Sequence, residues 1–132
     1  LLVFGESVDS ETPVVEIYNE QGQFLTRKTY QTARDRVKEA GEYLLSASFT
    51  DVKWVSDTTF VAVLDKKIFY FNLEQDTVKR IYLNSLGNNE VITNCLPTNR
   101  GSVIIGTNFG LIDEISLKEN SPQNSNSNSN SN

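Results

Sequence analysis

Two glycines four residues apart, Gly106 and Gly110, stand in GSVIIGTNFGLIDEISL (residues 101–117). Glycines beside an apolar run are the material of phosphate-binding loops, which need flexible backbone opening a helix and a Lys before Ser or Thr at set spacing. The residues after Gly110, LIDEISL, alternate as a strand does and hold no such Lys. The glycines are therefore read as turn residues between two strands. GESVD (residues 5–9) has the outline of a serine elbow but lacks its second glycine. Asp113 and Glu114 are adjacent carboxylates, yet strand neighbours point to opposite faces and do not form an acid pair. Asp9, Glu11 and Asp51 would ligate calcium only if the fold gathered them. RKTYQTARDRVK (residues 27–38) brings five positive charges, which suit a solvated helix or loop face better than an acidic partner. No residue is assigned a catalytic, cofactor-binding or metal-ligating role, and no cofactor is expected.

The composition narrows the chemistry further. Histidine is absent from the 132 residues, which removes Ser-His-Asp and Cys-His nucleophile systems, histidine metal sites and the usual near-neutral proton shuttle. Cys95 is the one cysteine, so an internal disulfide and a cysteine-based zinc site are both excluded. It lies in VITNCL and is read as a small core residue. Seventeen acidic and twelve basic residues give a net charge of -5 without long blocks of either sign. That balance argues against a nucleic-acid partner or an anionic membrane surface. No apolar run approaches the roughly 18 residues of a membrane span, and no Asn-x-Ser/Thr acceptor occurs. An intracellular, cytoplasmic protein is expected, with the nucleus as the other compartment.

The elements are short strands between turn signals. LLVFGE, PVVEIYNE, QGQ and QFLTRKTY read as strand, strand, turn and strand, with Val15, Ile17 and Asn19 on one face and Val14, Glu16 and Tyr18 on the other. DVKWV (51–55), TTFVAVLD (58–65), KKIFYFNLE (66–74) and DTVKRIYLN (76–84) come next as four strands with short connections. EVITNCL (90–96), SVIIGT (102–107) and GLIDEISL (110–117) repeat the first three. Val61 matches Ile104 and Ile68 matches Leu111, both 43 residues on, while Val52 and Trp54 fall near Ile92 and Asn94. Asn19 to Asn72 spans 53 residues, the excess lying in QTARDRVKEAGEYLLSASF. There Thr32 with Asp35 is expected to cap a short helix, with Val37 and Ala40 inward and Gly41 at its end. FVAVL and IFYF are apolar on both faces, as in a sheet held between other sheets. Lys and Arg at 27–28 and 79–80 suit the exposed last strand of each unit. From residue 119 onward the Asn/Ser tract has no apolar side chain and is read as a disordered low-complexity tail (119–132).

A period of 40–45 residues built from four strands marks a β-propeller blade. DVKWVSDTTFVAVLDKKIFYFNLEQDTVKRIYL resembles a divergent WD40-type repeat, with IFYFNLE where that family ends its third strand in Trp-Asp. TNCLPTNRGSVIIGTNFGLIDEISL is similar to strands a, b and c of the next blade. Tyr18-Asn19, Phe71-Asn72 and Ile115-Ser116 stand in the Trp-Asp position, and the Gly-His pair is missing. The fold class expected is all-β: a partial propeller over residues 1–118. It divides into strands b-c-d over about 1–30, an insertion over about 31–48, a full blade over about 49–84 and strands a-b-c over about 90–117. Closed propellers need four to eight blades, so the 2.5 to 3 present here imply that missing sequence supplies the rest.

For function, the resemblance implies a non-catalytic scaffold that binds other proteins in a multi-subunit complex. A ligand-sensing regulatory propeller is the alternative, because IIGTNFGLIDEI also looks like the G-T-x-x-G-L unit of bacterial regulators. The non-catalytic part of a propeller enzyme is the third.

Overall fold

In the computed structural model, residues 2–6, 12–38, 47–83 and 86–118 are described. They form three antiparallel sheets, none of them closed on itself. The first sheet is β1 (Leu2–Glu6), β2 (Pro13–Tyr18) and β3 (Phe24–Thr29). The second is β4 (Asp51–Trp54), β5 (Thr59–Leu64), β6 (Lys67–Asn72) and β7 (Thr77–Ile81). The third is β8 (Ile92–Pro97), β9 (Ser102–Thr107) and β10 (Ile112–Ser116). Each sheet is a meander, every strand pairing with its neighbour in sequence. The strands fall in the expected segments, most with ends trimmed by one to three residues, while β9 keeps its expected bounds and β8 ends one residue later, at Pro97. The expected tail lies outside the described residues.

The second sheet sits between the other two, and its sequence shows why. β5, TFVAVL, is buried at all six positions. β-branched and aromatic side chains suit a pleated surface, and a strand without a polar face needs cover on both sides. On one side Phe60, Ala62, Leu64, Phe69 and Phe71 meet Val15 and Ile17 of the first sheet. The rings of Phe60 and Phe71 stack at 4.8 Å. On the other side Val61, Val63, Ile68 and Ile81 meet Cys95, Val103, Ile105 and Leu117 of the third sheet. The first strands lie side by side as well, β1 against β4 and β4 against β8.

Repetition is visible at the turns. Asn19 Oδ1 accepts from the backbone N–H of Gln21 and Gln23, and Asn72 Oδ1 accepts from that of Gln75. Ser116 Oγ accepts from Lys118 N–H. The residue at the end of β2, β6 and β10 thus accepts a local backbone N–H in the same Asx- or Ser-type turn. The hairpins entering the second strands also match, with Ser56 against Thr59 at 2.7 Å and Thr98 against Ser102 at 2.6 Å.

Two register expectations are corrected. Ile104 does stand in the place of Val61, since each faces away from the preceding sheet. Beyond the next turn, however, Ile68 opposite Val63 corresponds to Ile112 opposite Gly106, not to Leu111. The second sheet turns through Asp65 and Lys66, the third through Asn108, Phe109 and Gly110, and the extra residue moves the match by one. Val52 and Trp54 correspond to Cys95 and Pro97, not to Ile92 and Asn94. A bulge between Ile92 and Asn94 allows Ile92 and Cys95, three residues apart, to face the same way.

The helix falls in the expected segment with different caps. α1 (Tyr30–Arg36) starts directly from β3, and Thr29, not Thr32, is its N-cap, accepting from Thr32 N–H at 3.1 Å. Tyr30 and Ala33 are its buried residues, Tyr30 edge-on to Phe69 at 5.9 Å, and Val37 packs at the core margin as expected. Ala40 and Gly41 lie outside the described residues. Phe69 is therefore touched from the helix, from its own strand and from Arg80 across the sheet. Replacing it with Ala leaves a cavity that rigid sheets do not fill, and a loss of about 3–5 kcal/mol is expected in denaturant unfolding.

Candidate functional site

The turn around the two glycines is occupied by its own chain. Thr107 Oγ1 donates to Glu90 Oε2 at 2.7 Å and accepts from the N–H groups of Phe109 and Leu111. Glu90 Oε1 accepts from Gly87 N–H at 2.8 Å. Asn108 accepts from Val91 N–H, donates to Asn89 O, and its backbone N–H reaches Val91 O. The segment GTNFGL is thereby tied to the approach to β8, and it leads into a strand, β10. Gly110 has φ +84, which a side chain would strain. By register Gly106 occupies the slot of Val63, Gly110 belongs to the turn itself, and Leu111 takes the slot of Lys67. Gly106 has a separate constraint, because a Cβ there would stand 2.5 Å from Asn94 Oδ1.

The remaining candidates are scattered. Glu114 accepts from Arg100 at 2.9 Å and from Ser102 Oγ, whereas Asp113 accepts from Glu114 N–H, so the adjacent carboxylates do separate work. Of GESVD only Gly5 and Glu6 are described, and Asp9 and Glu11 lie outside the described residues. No group of three or more His, Cys, Asp or Glu side chains among the described residues is placed to hold a metal ion. Four of the five cations of the basic stretch are in ion pairs: Arg27 with Glu16, Arg34 with Asp35, and Lys28 and Arg36 both with Asp76 at the β6–β7 turn. No helix among the described residues is long and apolar enough to cross a membrane.

Asp51 belongs to a bridge between sheets. Its Oδ2 accepts from Cys95 N–H at 3.0 Å, while Lys53 Nζ donates to Cys95 O at 3.0 Å and lies 3.1 Å from the same carboxylate. One acidic and one basic side chain on β4 thus grip both backbone polar groups of a residue on β8. Such groups at a sheet junction need partners, because leaving them buried and unpaired costs more than making the bonds gains. Cys95 itself is buried, and burial first, then the Asp51 charge, pushes its thiol up to about 12. It is a packing residue, as expected.

An open cleft of ≈ 580 Å³ lies where the β2–β3 turn approaches the β4–β5 turn. Glu20 comes from the first sheet, and Trp54, Val55, Ser56 and Asp57 from the second. Trp54 is anchored edge-on to Phe60 at 5.8 Å, so the ring is held while part of it remains accessible. A fixed indole between two exposed carboxylates suits a cationic or amphipathic side chain of another molecule. Nothing in the sequence pattern joins Glu20 to Trp54, 34 residues apart; the one tryptophan of the sequence was the available signal.

No protein-family model, curated protein or solved structure matches the chain.

Four carboxylates are held below their ordinary range. Glu90 is lowered by the Gly87 N–H and Thr107, Glu114 by Ser102 and Arg100, Glu16 by Tyr18 and Arg27, and Asp76 by Lys28 and Arg36. A carboxyl whose folded pKa is depressed stabilises the fold above its unfolded value, and that contribution is lost as pH falls toward the folded value. Denaturant unfolding is expected to show stability level above the ordinary Glu value of 4.5 and declining below it. Glu90→Gln is expected to flatten that decline. At pH about 8, Cys95 is expected to stay inert to a chromogenic thiol reagent until the protein is unfolded, because the thiolate is negligible and the sulfur is enclosed.

Proposed function

We propose that this chain is a run of WD40-like propeller blades that serves as a non-catalytic, protein-binding scaffold in a multi-subunit complex. Three meanders stacked in one sense support the propeller reading. So do the contact of β4 with β8 and the same turn device at Asn19, Asn72 and Ser116. The observation that carries the functional reading is the cleft around Trp54. It is open, combines a fixed ring with Glu20 and Asp57, and is built from turns of two different sheets. Binding residues commonly sit on loops held by a rigid frame. The polar groups best placed for chemistry, Asp51, Glu90 and Thr107, are instead committed to holding sheets and turns together.

The ligand-sensing alternative rests on GTNFGL, whose polar side chains are turned onto residues 87–91. It gains no separate support.

The test is quantitative affinity purification from native extract with the full chain and with Trp54→Ala/Asp57→Lys. The scaffold reading expects a defined set of proteins in fixed ratios with the parent, at least tenfold depleted with the double variant. Both proteins should unfold at similar denaturant concentrations. Recovery of the same set by the folded variant, or of no stoichiometric partner by the parent, overturns it.

A further inference from the structure

The cleft at Trp54 is bounded by turns that hold their own shape. Asn19 Oδ1 accepts from Gln21 and Gln23 N–H, and Asn19 Nδ2 donates to Gln23 Oε1 at 2.8 Å, so the turn presenting Glu20 is braced by its own side chains. Across the cleft, Ser56 Oγ lies 2.7 Å from Thr59 Oγ1 and accepts from Thr58 N–H, which fixes the turn carrying Asp57. The indole stands edge-on to Phe60, and Phe60 is itself stacked on Phe71. Ring and turns are thus in place before anything binds. A surface that need not be ordered on binding keeps more of its contact energy as affinity.

Charge decides what suits it. Glu16, Asp35, Asp51, Asp76 and Glu114 each have a Lys or Arg within ion-pair distance. Among the described residues Glu20 and Asp57 have none, and both are exposed. No Lys or Arg lines the cleft, and the chain as a whole carries a net charge of -5. The carboxylates beside the ring are therefore left to a cation from outside. An anionic ligand, a phosphate backbone included, meets like charge there. An uncharged apolar group covers the ring but draws the carboxylates away from water without giving them a partner.

The two biological cations differ in how well they fit. A guanidinium is planar, stacks on aromatic faces and carries five N–H donors in a rigid fork, so one group can lie on an indole and donate to neighbouring carboxylates. An ammonium is a compact, more strongly hydrated point charge. The cleft's ≈ 580 Å³ falls within the roughly 300–1,000 Å³ of clefts that enclose drug-sized ligands, which leaves room for flanking backbone as well. We infer that the Trp54 cleft is an arginine-recognition site. It takes an exposed arginine from a peptide segment of a partner protein, the guanidinium against the indole and its N–H groups toward Glu20 and Asp57. This rests on the cleft being the protein-docking surface and adds the chemistry of what docks.

Trp54 is the one tryptophan of the sequence, so tryptophan emission from the full chain reports this cleft alone. The titrant is the acetylated, amidated peptide Gly-Ser-Arg-Ser-Gly, beside versions with citrulline, lysine or glutamate at the centre. A saturable change with half-saturation at about 1 mM is expected for the arginine peptide, as suits a single anchoring side chain. Binding about tenfold weaker is expected with citrulline, which keeps the shape and loses the charge, and with Glu20→Gln/Asp57→Asn against the arginine peptide. Lysine should bind more weakly than arginine, and glutamate should give no response. Both substituted positions are exposed, and denaturant unfolding checks that the variant folds. An arginine peptide without effect up to about 10 mM overturns the inference. So does a citrulline or lysine peptide that binds equally well, or a double variant that binds as the parent does. The titration reads the chemistry of the cleft, whereas affinity purification reads whether proteins dock there. Partners lost with Trp54→Ala/Asp57→Lys, beside an emission indifferent to charge, overturn the arginine and leave the docking surface standing. An arginine response from a chain that retains no stoichiometric partner overturns the scaffold, and with it the protein origin of the arginine.

Discussion

The structure depends on covering both faces of one sheet. Six consecutive buried residues in β5 leave no side for water, and β6 adds Ile68, Phe69 and Phe71. Full burial of an aliphatic or aromatic side chain contributes about 1.5–3 kcal/mol, so a second sheet standing alone would expose most of what stabilises it. The chain meets this with neighbours on each side, the first sheet and α1 on one and the third sheet on the other. Cover has a polar cost, since sheets brought together also bring backbone groups out of water. Asp51 and Lys53 satisfy both polar groups of Cys95 at the inner strands, and Lys79 Nζ reaches Leu117 O at 2.9 Å farther out.

The lysines of the last strands show how that logic reassigns a residue. Charge on an edge strand is expected to guard it against pairing with other chains. Lys28 does sit on β3, but its ammonium reaches Asp76 in the next sheet, and Lys79 on β7 reaches the third sheet. Both point forward across a junction. The edge is thus guarded and the stack tied by the same side chains, and the basic segment 27–38 brings little free charge to its surroundings.

Most of the fold was legible because its signals are local. Alternation and short apolar runs located the described strands, and polar residues located most of the turns between them. The buried faces of β2 followed from period two. Register past Gly110 was not legible, because a two-residue and a three-residue turn look alike when both are flanked by apolar strands. The match of β8 to β4 failed for a related reason. Ile92 and Cys95 are three apart, a spacing that period two assigns to opposite faces, and only the bulge after Ile92 brings them to one side. The N-cap at Thr29 was hidden because the helix begins without a loop, so the residue ending the strand also starts the helix.

The candidate site was the least legible part, since it is made by a junction and not by a segment. Glu20 and Asp57 are ordinary turn residues, each sufficiently explained by its own hairpin. Their relation to Trp54 exists only because the first and second sheets stack with those turns at the same end. The glycine segment shows the converse. GTNFGL has a residue pattern that suggests chemistry, yet Glu90 and Thr107 consume its polar groups in closing the third sheet. In a stack of meanders, local motifs mainly build the sheets, and the surfaces offered to other molecules arise where one sheet meets the next.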